Sequence, residues 1–92
     1  MSKYKVVISP GAEHDLAKLS KSARRSIVVA LADLELLDNP REKLGPLNGK
    51  AKGLHSIRTG DYRAIIEIVD NKQMLMVIEI GQRKTIYRKY QS

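Results

Sequence analysis

An α+β fold is predicted, with two N-terminal helices packed on one face of a small, twisted, mostly antiparallel sheet in the order β-α-α-β-β-β. Three observations lead there. A short β-branched run opens the chain. Two stretches with apolar residues at helical spacing follow it. Three segments of strand composition, separated by tight-turn residues, close it. Residues 1–92 are expected to form a single domain, because this length suits one compact core.

The first strand is Tyr4-Lys5-Val6-Val7-Ile8-Ser9. Ser9-Pro10 then marks a helix start, with a hydroxyl at the cap and proline at the first helical position. Ala12, Leu16 and Leu19 follow on one face. Ser20 is a second cap. From Lys21 to about Asp38, the residues Ala23, Ile27, Ala30, Leu31, Leu34 and Leu37 keep helical spacing, and Asn39-Pro40 ends the run. Residues 40–53 hold prolines, glycines and basic residues and read as a loop with a functional character. The strands Leu54–Thr59, Tyr62–Val69 and Met74–Ile80 come next, turned by Gly60-Asp61 and Asp70-Asn71-Lys72. Gln82–Tyr90 is polar and basic, a frayed helix or a tail.

Composition narrows the function. Seventeen Lys and Arg against ten Asp and Glu leave a net charge of +7, which points to a polyanionic partner, nucleic acid or an acidic protein. The excess sits mostly from Lys50 onward. There is no Cys, so disulfides, thiolate catalysis and cysteine zinc sites are excluded. His14 and His55 are the two imidazoles and form no metal-ligand spacing, so no metal and no cofactor is expected. Gly45, Gly49 and Gly53 lack the spacing of a phosphate-binding loop. Nothing resembles a signal peptide, a membrane span or a basic membrane-surface helix, so a cytoplasmic location without membrane contact is expected.

Strand alternation sorts the side chains of the sheet. Tyr62, Ala64, Ile66 and Ile68 share one face, and Met74, Met76, Ile78 and Ile80 are expected to join them under the helices. Leu16, Ile27, Leu31, Ile66 and Ile78 are thus expected core residues. Arg63, Glu67, Glu79 and Arg83 are expected on the other face, which has no helix to cover it. Such a set is either a solvated face with cross-strand ion pairs or a ligand surface. Glu67 and Glu79 read as counter-charges to Arg63 and Arg83, or as a paired-carboxylate site. Alternation puts His55 opposite Ser56 and Arg58, either as a general base or as a partly buried rim residue. Arg24-Arg25 lies on a solvated helix face or a partner contact.

Four motifs in order resemble those of the RelE/ParE toxin superfamily. Ile8-Ser9-Pro10 followed by Asp15-Leu16-Ala17-Lys18-Leu19 is similar to its opening. Pro46-Leu47 in a basic loop is similar to its middle segment. Gly53-Leu54-His55-Ser56-Ile57-Arg58-Thr59-Gly60-Asp61-Tyr62-Arg63-Ala64-Ile65-Ile66 resembles its central hairpin. Ile80-Gly81-Gln82-Arg83-Lys84-Thr85-Ile86-Tyr87-Arg88 resembles its C-terminal motif. The resemblance covers nearly the whole chain. It implies a RelE-like fold and the toxin of a type II toxin–antitoxin system, a ribosome-dependent endoribonuclease that cleaves mRNA in the A site and so inhibits translation. The implied partners are a cognate antitoxin protein, mRNA and the ribosome with its rRNA.

The resemblance assigns phosphate binding to Arg63, stabilisation of developing charge to Arg83, and stacking or proton transfer to Tyr87. Lys50, Lys52, Arg58, Lys84 and Arg88 are the expected RNA- and ribosome-binding residues. Two departures from the family pattern stand out. Leu54 and Ser56 occupy positions where well-known RelE proteins carry lysines, and Gln82 stands where many relatives have histidine. The alternative on the same fold is a non-catalytic, ParE-like inhibitor of DNA gyrase.

Overall fold

The computed structural model describes residues 3–47 and 53–91. Its order is β1 (Lys5–Ile8), α1 (Pro10–Ala17), α2 (Lys21–Leu34), a 3-10 turn (Pro40–Lys43), β2 (Gly45–Pro46), β3 (Leu54–Thr59), β4 (Tyr62–Val69), a second 3-10 turn (Asp70–Lys72), β5 (Met74–Gln82) and α3 (Arg83–Gln91). The strands form a five-stranded sheet in the order β1-β5-β4-β3-β2. β1 runs parallel to β5, and every other neighbour is antiparallel. The fold class is therefore the predicted α+β. The expected order gains a two-residue edge strand inside the 40–53 loop and a third helix at the C-terminus.

Both serine caps form. Ser9 Oγ accepts from Ala12 N at 3.1 Å and Ser20 Oγ from Ala23 N at 3.2 Å, each satisfying an otherwise orphaned helix N–H. α2 ends at Leu34 rather than near Asp38. The N–H groups of Glu35, Leu36 and Leu37 reach carbonyls three residues back, so the last turn tightens into 3-10 geometry.

The main core lies between α1, α2 and one sheet face. Ala12, Leu16, Ile27, Leu31 and Leu34 meet Ala64, Ile66, Leu75, Val77 and Ile80 there. The expected phase of β5 is wrong over its first half: Leu75 and Val77, not Met74 and Met76, face the helices. Both alternating sets of this strand are apolar, so alternation could not choose between them. A bulge then resets the phase. Ile65 pairs with Glu79 and Ile66 with Val77, which leaves Ile78 as the extra residue. Ile78 is half-buried and outside the core, whereas Ile80 rejoins it.

The opposite sheet face was expected to be bare. Instead α3 folds back over part of it, and Leu47, Ile65 and Ile86 form a second, smaller core flanked by Leu54 and Tyr90. Gly81 permits this approach: a Cβ there would sit 3.2 Å from Ile86 Cδ1 and 3.3 Å from Cγ1. Ile86 and Tyr90 are four apart on the inner side of α3, so the basic tail is an amphipathic helix rather than a frayed end.

Candidate active site

A row of positions on this second face builds the site. Arg58 on β3 lies directly opposite Arg63 on β4, and Arg63 lies opposite Gly81 on β5. Two residues later α3 begins at Arg83, whose N–H donates to the Asp61 carbonyl at 2.7 Å. That bond ties the helix start to the β3–β4 turn. Arg83 and Tyr87, and Lys84 and Arg88, are each four apart, one helical turn, so they stack along one side of α3. A cleft of about 400 Å³ results, lined by Arg58, Arg63, Arg83, Lys84, Tyr87 and Arg88.

The lining contains no carboxylate and no imidazole. Among the described residues, Arg58, Arg63, Arg83 and Lys84 make no ion pair. The Nε of Arg63 is buried and has no hydrogen-bond partner. Buried polar groups are nearly always paired, and like charges directly opposite across a sheet repel. The cleft therefore holds uncompensated positive charge at a cost to the fold. An anion with several acceptor oxygens relieves that cost, and a guanidinium binds such a group in bidentate fashion. Tyr87 is 56% exposed and offers a free aromatic face at the rim.

Of the two acidic residues expected as counter-charges, Glu79 is engaged elsewhere. Glu79 accepts hydrogen bonds from Tyr90 Oη and, at 2.9 Å, from Lys89 Nζ. Burial pushes the Glu79 carboxyl up, but those two donors outweigh it and its net shift is downward. Tyr90 is pushed up to about 12 by burial and by the Glu79 carboxylate. This pair fastens the end of α3 and leaves Arg63 and Arg83 alone. Glu67 is exposed, with no ion pair among the described residues. Neither Glu67 nor Glu79 lines the cleft, so they place no carboxylate pair in it.

His55 pairs with Ile66 and lies on the α1–α2 side of the sheet, away from the cleft. Burial lowers its pKa, and Arg41 lowers it further against the opposing pull of Asp70. Its Nδ1 is buried without a partner. His55 lies within electrostatic reach of the cluster in which Asp70 accepts from Tyr4 Oη and, at 3.0 and 2.8 Å, from Arg41. Leu54 packs on the second core and Ser56 is buried, so these family lysine positions carry packing here. Lys50 and Lys52 lie outside the described residues. What the linear reading missed is Gly81 as the seat of α3. Its signal was the Ile86–Tyr90 spacing, which demands a docking surface.

The described residues contain no group of three or more His, Asp or Glu side chains able to hold a metal, and no helix long and apolar enough to cross a membrane. A family model described as the ParE toxin of type II toxin–antitoxin system, parDE, matches residues 6–87. Toxin RelE of Mycobacterium tuberculosis is 35% identical over 85 residues, which is 92% of this chain and 87% of that protein. The toxin–antitoxin complex RelBE2 of the same organism contains a chain that superposes with a TM-score of 0.80 at 27% identity, covering 88% of this chain and 99% of that one. A chain of the archaeal RelE–RelB complex of Pyrococcus horikoshii OT3 gives 0.71 at 28% identity, covering 90% and 97%. With its sequence matched from Val6 to Tyr87 and its fold shared with RelE chains, this protein belongs to the RelE/ParE family of type II toxins.

Proposed function

We propose that this toxin is a ribosome-dependent endoribonuclease acting on mRNA in the A site. One observation carries the reading: four cations without ion pairs converge, with an exposed tyrosine, in a cleft that has no acid in its lining. In the proposed reaction a ribose 2′-oxygen attacks the adjacent phosphorus and gives up its proton. The bond from phosphorus to the 5′-oxygen breaks, a 2′,3′-cyclic phosphate forms, and the leaving oxygen takes a proton. Arg63 binds the phosphate, Arg83 stabilises the charge that develops on it, and Tyr87 stacks on the base or protonates the leaving oxygen. Arg58, Lys84 and Arg88 hold flanking phosphates of RNA, with Lys50 and Lys52 in the same role.

Preorganised charge is the main catalytic resource of such a site. Gln82 cannot carry a proton near neutral pH, and His55 is on the wrong side of the sheet. The cleft also suits an antitoxin. The relatives crystallised as RelBE complexes support a cognate antitoxin protein as partner. An acidic stretch of that protein placed over the cleft would neutralise it, and its association should weaken with salt.

Purified protein added to programmed ribosomes, with mRNA 3′ ends mapped, tests the reading. Codon-specific cuts in the A site are expected, and Arg63→Ala combined with Arg83→Ala should remove them. Full cleavage by that double variant would overturn the site. Toxicity without any cleavage, together with inhibited supercoiling by purified gyrase, would establish the non-catalytic alternative.

A further inference from the structure

Next to the cleft is a second concavity. A recess of about 300 Å³ at the end of the sheet is lined by Asp61, Gln82, Arg83 and Lys84. Arg83 and Lys84 line both spaces, so they form the wall between them. The volume is at the lower end of the range for small-ligand sites, roughly 300–1,000 Å³, and suits one base rather than a larger group. Its chemistry differs from that of the cleft. The cleft presents guanidinium and ammonium donors and a tyrosine. The recess adds a carboxylate and a carboxamide.

Neither added group has structural employment. Among the described residues the Asp61 side chain makes no hydrogen bond, and only its backbone carbonyl is used. Gln82 is exposed at the last position of β5, opposite Tyr62, with no side-chain hydrogen bond. The backbone around them is nonetheless fixed, because the Asp61 carbonyl binds Arg83 N–H and Gln82 is in register with β4. Two free polar side chains on a rigid frame, beside a phosphate-binding wall, make a reading site for a polar edge.

We propose that this recess is a base-specificity pocket of the toxin, in which Asp61 and Gln82 read the Watson–Crick edge of the nucleotide next to the phosphate held in the cleft, and favour guanine. The inference rests on the cleft being a phosphate clamp. A carboxylate is acceptor-only and takes two donors side by side, whereas a carboxamide supplies one group of each kind. Guanine presents N1–H and N2–H₂ together, with O6 beside them. Asp61 takes the two donors and the Gln82 amide donates to O6. Uracil presents two carbonyl oxygens around a single N–H, so one carbonyl faces the carboxylate. Single-stranded RNA splays its bases and exposes these edges, which is how proteins commonly read its sequence.

The test uses the whole toxin and two readouts. The first is equilibrium binding of fluorescein-labelled RNA pentamers, UUGUU against UUUUU. The second is cleavage on ribosomes programmed with A-site codons that differ only by G or U. The wild type should bind UUGUU about 5- to 100-fold more tightly, the span expected for one bidentate base contact. Asp61→Asn should reduce that ratio to about twofold, since an amide offers only one acceptor. Gln82→Ala should reduce it less, and Gln82→Asn should restore part of it. A merely structural role would change affinity for both pentamers alike and leave the ratio standing. Equal binding of the two RNAs by the wild type, binding of neither, or a ratio unmoved by either substitution overturns the pocket. A guanine preference in binding with no cleavage of any codon would instead overturn the nuclease reading and leave the pocket in place.

Discussion

The two faces of the sheet are built on opposite principles. Under α1 and α2 the face is largely apolar, and carboxylates on or beside the helices meet two of its backbone needs. Asp15 accepts the Ile80 N–H at 3.0 Å, and Glu35 accepts the Val6 N–H at 2.7 Å on the open edge of β1. Under α3 the face is half-covered, and the uncovered half collects cations with no acid in the cleft lining. One face therefore stabilises the fold, and the other holds positive charge that no acid in the cleft lining offsets. The cost is tolerable because the larger core supplies the stability.

The contrast can be broken first by cavity formation. Ile66→Ala should cost about 2–5 kcal/mol of global stability, read from denaturant midpoints, because Ile66 is fully buried in the main core. Ile86→Ala, equally buried in the smaller cluster, should cost less and act locally. Hydrogen exchange should quicken in α3 while α1 and α2 stay protected. Equal global losses from the two would mean that the faces are one cooperative core.

Arg83→Ala inverts the pattern. Cleavage on programmed ribosomes should fall about 10²–10³-fold while the melting temperature holds, since the side chain of this arginine has no protein partner among the described residues. Arg83→Lys should rescue poorly, because an ammonium lacks the planar fork. A parallel drop in melting temperature would make Arg83 a structural residue. Tyr87→Phe sharpens the same face: a loss of roughly 10²-fold marks proton transfer by the hydroxyl, and a near-normal rate leaves stacking as its task.

Acid should strain the α1–α2 side. The folded pKa of His55 lies below its ordinary value of 6.5. The neutral form is the one the fold accepts, so its contribution is fully present above that value and is lost as pH falls through the folded one. Asp70 behaves likewise lower down. The Arg41 and Tyr4 hydrogen bonds hold its carboxyl at about 2, so its stabilisation is full above 3.8 and disappears as pH falls through about 2. Denaturant midpoints between pH 7.5 and pH 5.5 should fall more for the wild type than for His55→Gln. Identical slopes would show that His55 is solvated.

The smallest effect should have the opposite sign. Arg58→Thr removes a like-charge cross-strand pair and places a β-branched residue in a strand, so stability should rise by about 0.2–1 kcal/mol. A loss of stability would show that the two arginines do not repel in the folded protein.

Much of this was legible in the sequence because it is local. Ser9-Pro10 and Ser20 start helices by satisfying N–H groups a few residues away, and Gly60-Asp61 turns the hairpin that sets Arg58 against Arg63. The family resemblance singled out Arg63, Arg83 and Tyr87, which the fold brings to one cleft, and alternation put Arg63 on the face away from α1 and α2. The phase of β5 was not legible, since Met74-Leu75-Met76-Val77 is apolar at every position and only pairing with β4 selects Leu75 and Val77. Glu79 was assigned to the wrong partner because Lys89 and Tyr90, ten and eleven residues on, return to it only after α3 folds back.

By itself, then, the chain determined its first two helices, its hairpin and its excess of positive charge, all of which follow from contacts or counts within a short window. Tertiary structure alone decided that a bulge at Ile78 rotates Ile80 back into the core and that Gly81 lets Ile86 dock. Docking of Ile86 is what swings Arg83, Lys84, Tyr87 and Arg88 over Arg58 and Arg63. The physical reason is that closing the cleft requires burying apolar area between segments distant in sequence, and no local preference encodes which surfaces will meet.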